Sequence, residues 1–214
     1  WSSDVCSSDL NYVLGTGNFT IECWVMLGAA PGSAAQVIDF RPASTQGLYP
    51  TLYISSDRTI RYYTNSADRI TGSALTLNNW YHIAVVRNSS VTTLYVNGTA
   101  SGSTYADTNL YLQGGIFIGA SYAGGASITN YLTGYVSNVR VTRGTALYTA
   151  TFTPSTTPLT TTSQSATSSQ VALLTCQSNR FIDNSTNAAT LTANASPVVQ
   201  TFSPYVLPNS YNPD

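Results

Sequence analysis

The chain has 214 residues, 43% of them hydrophobic and only 8% charged, with no apolar run long enough to span a bilayer as a helix. That length and apolar content bury one sizeable core, so one domain with part of a second is the expected count. All eight basic residues are arginines against nine acids, a net charge of −1, which leaves no electrostatic footprint for nucleic acid or anionic lipid.

Residues 1–10, WSSDVCSSDL, read in frame from TGG AGT TCA GAC GTG TGC TCT TCC GAT CT, a common short-read sequencing adapter, and are set apart from the chemistry as an artefact. Without Asp4 and Asp9 the nine acids become seven against eight arginines, and the net charge becomes +1. Alternation of apolar and polar residues predicts strands near 19–27, 36–40, 47–54, 59–64, 80–88, 92–97, 115–120 and 133–142. Turns fall at Ser55-Ser56-Asp57-Arg58, at Asn88-Ser89-Ser90 and at Asn97-Gly98. The last is a type I′ hairpin signal, since Asn-Gly accepts two successive positive φ angles. No window of ten or more residues holds a helical period. Residues 145–148 are expected to form a short helical turn, with Phe152 anchoring the exit. From 155 to 170 the chain carries no charge and reads as an extended Ser/Thr-rich linker.

Three segments fix the class. FTIECWV at 19–25, WYHIAVVRNSSVTTLYVNG at 80–98 and LTGYVSNVRVTRGTALYTATFTP at 132–154 together resemble the laminin-G-like modules of the concanavalin A-like lectin and glucanase superfamily, closest to tandem copies in bacteriophage and bacterial surface proteins. The resemblance implies an all-β, antiparallel jelly-roll sandwich over 11–154 that lacks its native N-terminal strands. Residues 171–214 resemble the opening strands of a following module. A sandwich short of strands leaves unpaired edges, so this segment is expected to fold back antiparallel, setting 171–176 beside 134–141 and burying Leu173, Leu174 and Phe181 at least in part.

The chemistry is read first from what is missing. Glucanases of the superfamily use two or three carboxylates on one strand, and retaining glycoside hydrolysis needs two about 5–5.5 Å apart. Glu22 is the only glutamate, and no strand carries acids at i and i+2; an enzyme is therefore not expected. His82, the only histidine, reads as a hydrogen-bonded framework residue. No zinc set exists. Calcium is possible through Asp39, Asp57 and Asp107, although each sits in or beside a turn and no DxDxDG run exists. Cys23 and Cys176 read as two buried free thiols, with one disulfide the alternative if the last segment packs beside the first strand.

Binding is read from aromatics. Period-two alternation puts Glu22 with Trp24, Tyr49 with Tyr53, and Arg61 with Tyr63 on polar-aromatic faces, opposite the apolar sets Ile21/Cys23/Val25 and Leu48/Leu52/Ile54. Such a face suits a pyranose, which stacks on rings and hydrogen-bonds at its hydroxyls. These six are the candidate ligand residues. The Gly- and Tyr-rich stretch 105–135 is a candidate rim. The expected role is non-catalytic adhesion to cell-surface glycans or to virion or surface proteins, as one module of a larger chain; a purely structural spacer in a virion fibre is the alternative, and a glycoside hydrolase the third reading. The hydroxyl-rich surface points to an extracellular or virion location. Five Asn-x-Ser/Thr sequons, at Asn18, Asn88, Asn97, Asn184 and Asn194, arise readily in a chain so rich in these residues.

Overall fold

β-Branched and aromatic residues in alternation favour pleated, half-buried strands, and the turns between them set the pairing. Three two-residue turns, Asn65-Ser66, Ser89-Ser90 and Asn97-Gly98, have positive φ at both positions. They join Thr64 to Ala67, Asn88 to Val91 and Val96 to Thr99 as type I′ hairpins. The computed structural model describes residues 3–5 (backbone only), 12–42, 47–112, 115–122, 128–178, 180–194 and 196–205.

Among these residues there is no α-helix, and the strands in chain order are β1 (Ser3–Val5), β2 (Phe19–Leu27), β3 (Ala34–Asp39), β4 (Thr51–Ser55), β5 (Thr59–Thr64), β6 (Ala67–Ala74), β7 (Trp80–Asn88), β8 (Val91–Val96), β9 (Thr99–Ala100), β10 (Tyr105–Ala106), β11 (Ile116–Ile118), β12 (Gly134–Arg143), β13 (Val171–Thr175) and β14 (Thr192–Ala193). They form two antiparallel sheets. The first has the order β14-β1-β11-β3-β4-β5-β6, and the second the order β10-β8-β7-β2-β12-β13 with β9 on β8. This is the expected sandwich. Its core lies between the sheets: Ile21, Cys23 and Val25 from β2 with Ile83 and Val85 from β7 join Leu52, Ile54, Ile60 and Ile70 in one buried cluster. Full burial of each such aliphatic is worth about 1.5–3 kcal/mol.

β13 pairs with β12, Leu173 opposite Val141 and Thr175 opposite Val139. Leu173 and Leu174 are buried, while Phe181 is partly exposed. The outer edge of β13 is closed by side chains: Asp183 accepts from Leu174 N at 3.0 Å, and Asn187 donates to Ala172 O at 2.8 Å. An edge so capped offers no ladder to another chain.

Four expectations need correction. The strand expected over 47–54 begins only at Thr51, so alternation does not reach Leu48 or Tyr49. Leu48 is 37% exposed, and Tyr49 packs against the main core. Residues 145–148 form no helical turn; Thr20 holds them instead, accepting from Leu147 N at 2.9 Å. The segment 155–170 is a packed strap and not an extended linker. Leu159 and Ala166 are buried with Val171 and Leu174, and Asn138 Oδ1 accepts from Leu159 N at 2.7 Å. Finally, β6 and the short strand β10 fall where no strand was expected, whereas β9 is the return strand that the Asn97-Gly98 hairpin implies and β14 lies in the segment expected to supply opening strands. The adapter-like residues 3–5 lie in the first sheet, between β11 and β14.

Candidate functional site

The six candidate residues do not converge. Tyr53, Arg61 and Tyr63 stand on the outer face of the first sheet, and Glu22 and Trp24 on the outer face of the second, with the core between them. Tyr49 belongs to neither face. On the first sheet Tyr53 and Tyr63 meet edge to face at 6.5 Å. Arg61 bridges Asp68 at 2.7 Å and Asp57 at 3.0 Å, and the Tyr53 hydroxyl donates to Asp68 at 2.8 Å. Partial burial and that bond push the Tyr53 hydroxyl up to about 12. Hydrogen bonds from the Thr59 hydroxyl and amide hold Asp57 down at about 2. Asp57, Arg61, Asp68 and the Tyr53 hydroxyl therefore already have protein partners.

Glu22 is fully buried, with its carboxylate committed to protein partners. Cross-strand register sets Arg140 opposite Glu22, and His82, opposite Trp24, reaches across from β7. Arg140 Nε donates to Oε1 at 2.8 Å, the Tyr148 hydroxyl donates to Oε2 at 2.7 Å, and His82 Nε2 lies 3.0 Å from Oε2. Because an ionised carboxylate only accepts, the shared proton sits on His82 Nε2. Burial alone would raise the Glu22 carboxyl. His82, Arg140 and Tyr148 outweigh it and hold the group below its ordinary 4.5. Arg140 Nη1 also donates to Thr160 O and Ser163 O at 2.9 and 2.8 Å, so the same charge cluster ties the strap down. Phe152 stacks on Tyr148 at 3.6 Å and closes over His82 at 5.6 Å. His82 is thus a framework histidine, and the anchoring role of Phe152 holds.

Of the six, Trp24 opens onto a recess. Met26 lies in register with Trp80 on one side and Tyr135 on the other, so alternation puts all three on the face that carries Trp24. Trp80 and Tyr135 approach to 6.4 Å, and Phe202 packs 5.7 Å from each. Tyr205 meets Trp24 edge to face at 5.9 Å. A bulge at Asn138, φ +53°, re-aims β12 beside them. Two adjoining recesses result, of about 290 and 610 Å³, sharing Trp80 and Tyr205 in their walls. The Trp80 indole N–H is buried without an acceptor. The Trp24 N–H leans toward the Tyr205 hydroxyl without reaching hydrogen-bonding geometry, and burial pushes that hydroxyl up.

The groove combines broad aromatic faces with amides and hydroxyls, so it can stack on a ring and hydrogen-bond at the ring's edge. Of its aromatics only Trp24 was singled out in sequence. Trp80, Tyr135, Phe202 and Tyr205 come from three distant segments that only the fold assembles. The stretch 105–135 reaches the groove through Tyr135 alone among its described residues.

The aspartates expected at a calcium site are each engaged within the protein. Asp39 is buried against Arg41 at 2.8 Å, Asp107 accepts from Tyr111 and Thr92, and Asp57 serves Thr59 and Arg61. Among the described residues no three acidic, His or Cys side chains gather as a metal cluster. Cys23 and Cys176 are free and buried, and burial pushes Cys176 up to about 12.

A model of the concanavalin A-like lectin/glucanases superfamily matches residues 2–151. Among solved structures, a candidate carbohydrate binding protein from Bacteroides ovatus superposes with a TM-score of 0.56 at 15% identity, over 92% of this chain and 61% of its own length. A heptameric SAP-like pentraxin from Limulus polyphemus superposes at 0.55 and 17% identity, covering 91% of this chain and 86% of its own. The chain thus spans about three fifths of the first of these and most of the second. Trypanosoma rangeli sialidase aligns at 0.48 and 16% identity over 59% of this chain and 20% of the sialidase. No curated protein sequence matches the chain.

Proposed function

Because the chain belongs to the concanavalin A-like lectin/glucanase superfamily, whose sandwich serves many chemistries, we propose from its aromatic groove that it is a non-catalytic carbohydrate-binding module of a larger phage-virion or bacterial surface protein. The observation that carries this is the convergence of Trp24, Trp80, Tyr135, Phe202 and Tyr205 on one recess. Hydrophobic ring faces bind the C–H face of a pyranose, and flanking polar groups orient its hydroxyls. Among the described residues the groove wall holds no Asp or Glu, so it lacks the paired carboxylates of glycoside hydrolysis. The Bacteroides likeness agrees with this reading at the level of fold.

Intrinsic fluorescence tests it, since Trp24 and Trp80 both line the groove. Titration with bacterial surface polysaccharides is expected to give a saturable change in tryptophan emission, and a flat response across all of them contradicts the proposal. A second reading, a structural spacer in a virion fibre, draws on Val198, Val199 and Phe202, which stand exposed in the groove's tail segment and would suit packing against a neighbouring module. Silence to all glycans, with these residues shielded from solvent in a two-module chain, would favour it.

A further inference from the structure

Resting on the carbohydrate reading above, we infer that the groove selects neutral glycans and binds them without a divalent cation. Among its described lining residues there is no Asp, Glu, Arg, Lys or His. The chain does have cations, but they are held elsewhere. Arg140 is buried on Glu22 and strap carbonyls. Arg87, also fully buried, donates to the carbonyls of Gly15, Gly17 and Asn109. Arg41 and Arg61 pair with aspartates across the sandwich, on the first sheet. Arg180, two residues beyond Ser178, is exposed and does not line the groove.

This arrangement excludes an acidic sugar on energetic grounds. A carboxylate or sulfate entering the recess would shed water and find no cation, and an unpaired buried charge costs several kcal/mol. The faces of aromatic rings carry the negative part of the ring quadrupole, which adds to the penalty. A neutral sugar meets no such cost. Thr156, Gln200 and Thr201 line the recesses with side chains that hold no hydrogen bond to the described residues, so they are available to sugar hydroxyls. Asn138 and Gln177, by contrast, are committed to the strap through Leu159. Two recesses of about 290 and 610 Å³ leave room for a short oligosaccharide.

The same wall argues against a bridging metal. Calcium takes six to eight oxygens, drawn largely from carboxylates, and the described wall offers carbonyls, amides and hydroxyls but no carboxylate.

The test is a glycan array carrying neutral glycans beside sialylated, uronic and sulfated ones, followed by titration of the best binder with and without EDTA and at low and high salt. Neutral binders are expected, with affinity unchanged within about twofold by EDTA and by salt, because no exposed ion pair is there to be screened. Arg180→Ala should be equally silent. Preference for anionic glycans, or a loss of about tenfold or more on EDTA, on high salt or in Arg180→Ala, overturns the inference while the carbohydrate reading stands. Binding to no glycan at all overturns the carbohydrate reading and this inference with it.

Discussion

Replacing Gly98 by alanine separates two costs that usually travel together. Gly98 closes the β8–β9 hairpin at φ +79°, and Gly144 follows β12 at φ +76°. An alanine at either site meets the same left-handed backbone penalty of about 1–2 kcal/mol. The space around them differs. A Cβ at Gly144 meets nothing within 4 Å, whereas at Gly98 it would lie 1.8 Å from the Phe152 carbonyl oxygen and 3.2 Å from Pro154 Cδ. Both obstacles belong to the chain that crosses the second sheet, so the clash is relieved only by lifting it. Lifting forfeits the Phe152 N–H bond to Gly98 O at 3.0 Å and the Phe152–Tyr148 stack at 3.6 Å. The bond is worth about 0.5–1.5 kcal/mol and the stack a similar amount beyond its buried area. Gly98→Ala should therefore cost about 2–5 kcal/mol against about 1–2 for Gly144→Ala. Urea denaturation followed by tryptophan fluorescence measures the difference directly, and in a chain of this size the gap of about 1–3 kcal/mol corresponds to roughly 2–12 °C in Tm. Equal losses at the two sites would refute the contact between the hairpin and Phe152.

Glu22→Gln keeps the shape of the buried cluster but leaves the Arg140 charge unpaired, and should cost about 3–5 kcal/mol in chemical denaturation. The Glu22 carboxyl is held below 4.5 in the fold, so its contribution is complete above that ordinary value and is lost as pH falls through the lower folded one. Thermal stability followed against pH should therefore drop in acid below about 4.5, and the drop should shrink in Glu22→Gln. Leu159→Ala empties a fully buried position under the strap and should lower stability by about 2–5 kcal/mol; a loss below about 0.5 kcal/mol would mean that the strap is not packed. Arg61→Met breaks the exposed bridges to Asp57 and Asp68 and one bond to the Thr59 hydroxyl, for which about 1 kcal/mol is expected in the same assay.

The parts of the fold that could be read in the sequence are those where local chemistry and final pairing agree. β2, β5 and β7 carry dense alternation, and their predicted bounds match those of the structure. Asn97-Gly98 announces its own turn. β6 gives no such signal, since Ile70 is its one fully buried aliphatic and Gly72 interrupts it. That glycine is needed because a Cβ there would press on Leu94 and Ile60. The strap was read as a linker because its order comes from two buried apolar residues and from bonds to Asn138 and Arg140, distant partners that composition does not reveal. For the site, alternation correctly paired Glu22 with Trp24, and Arg61 with Tyr63. It could not tell that these pairs lie on opposite sides of the core, nor that Tyr148 and Phe152 would cover Glu22 and leave Trp24 at the groove.

Isothermal titration of the best glycan against the wild type, Trp80→Ala and Tyr63→Ala tests the groove most directly. Trp80 opens β7 in the wall shared by both recesses, and Tyr63 carries an equivalent ring on the opposite face of the sandwich. Losing a stacking platform should weaken binding about tenfold or more, corresponding to about 1.4 kcal/mol, in Trp80→Ala. Tyr63→Ala should bind like the wild type. Full affinity in Trp80→Ala with binding lost in Tyr63→Ala would contradict the groove and move the site to the first sheet.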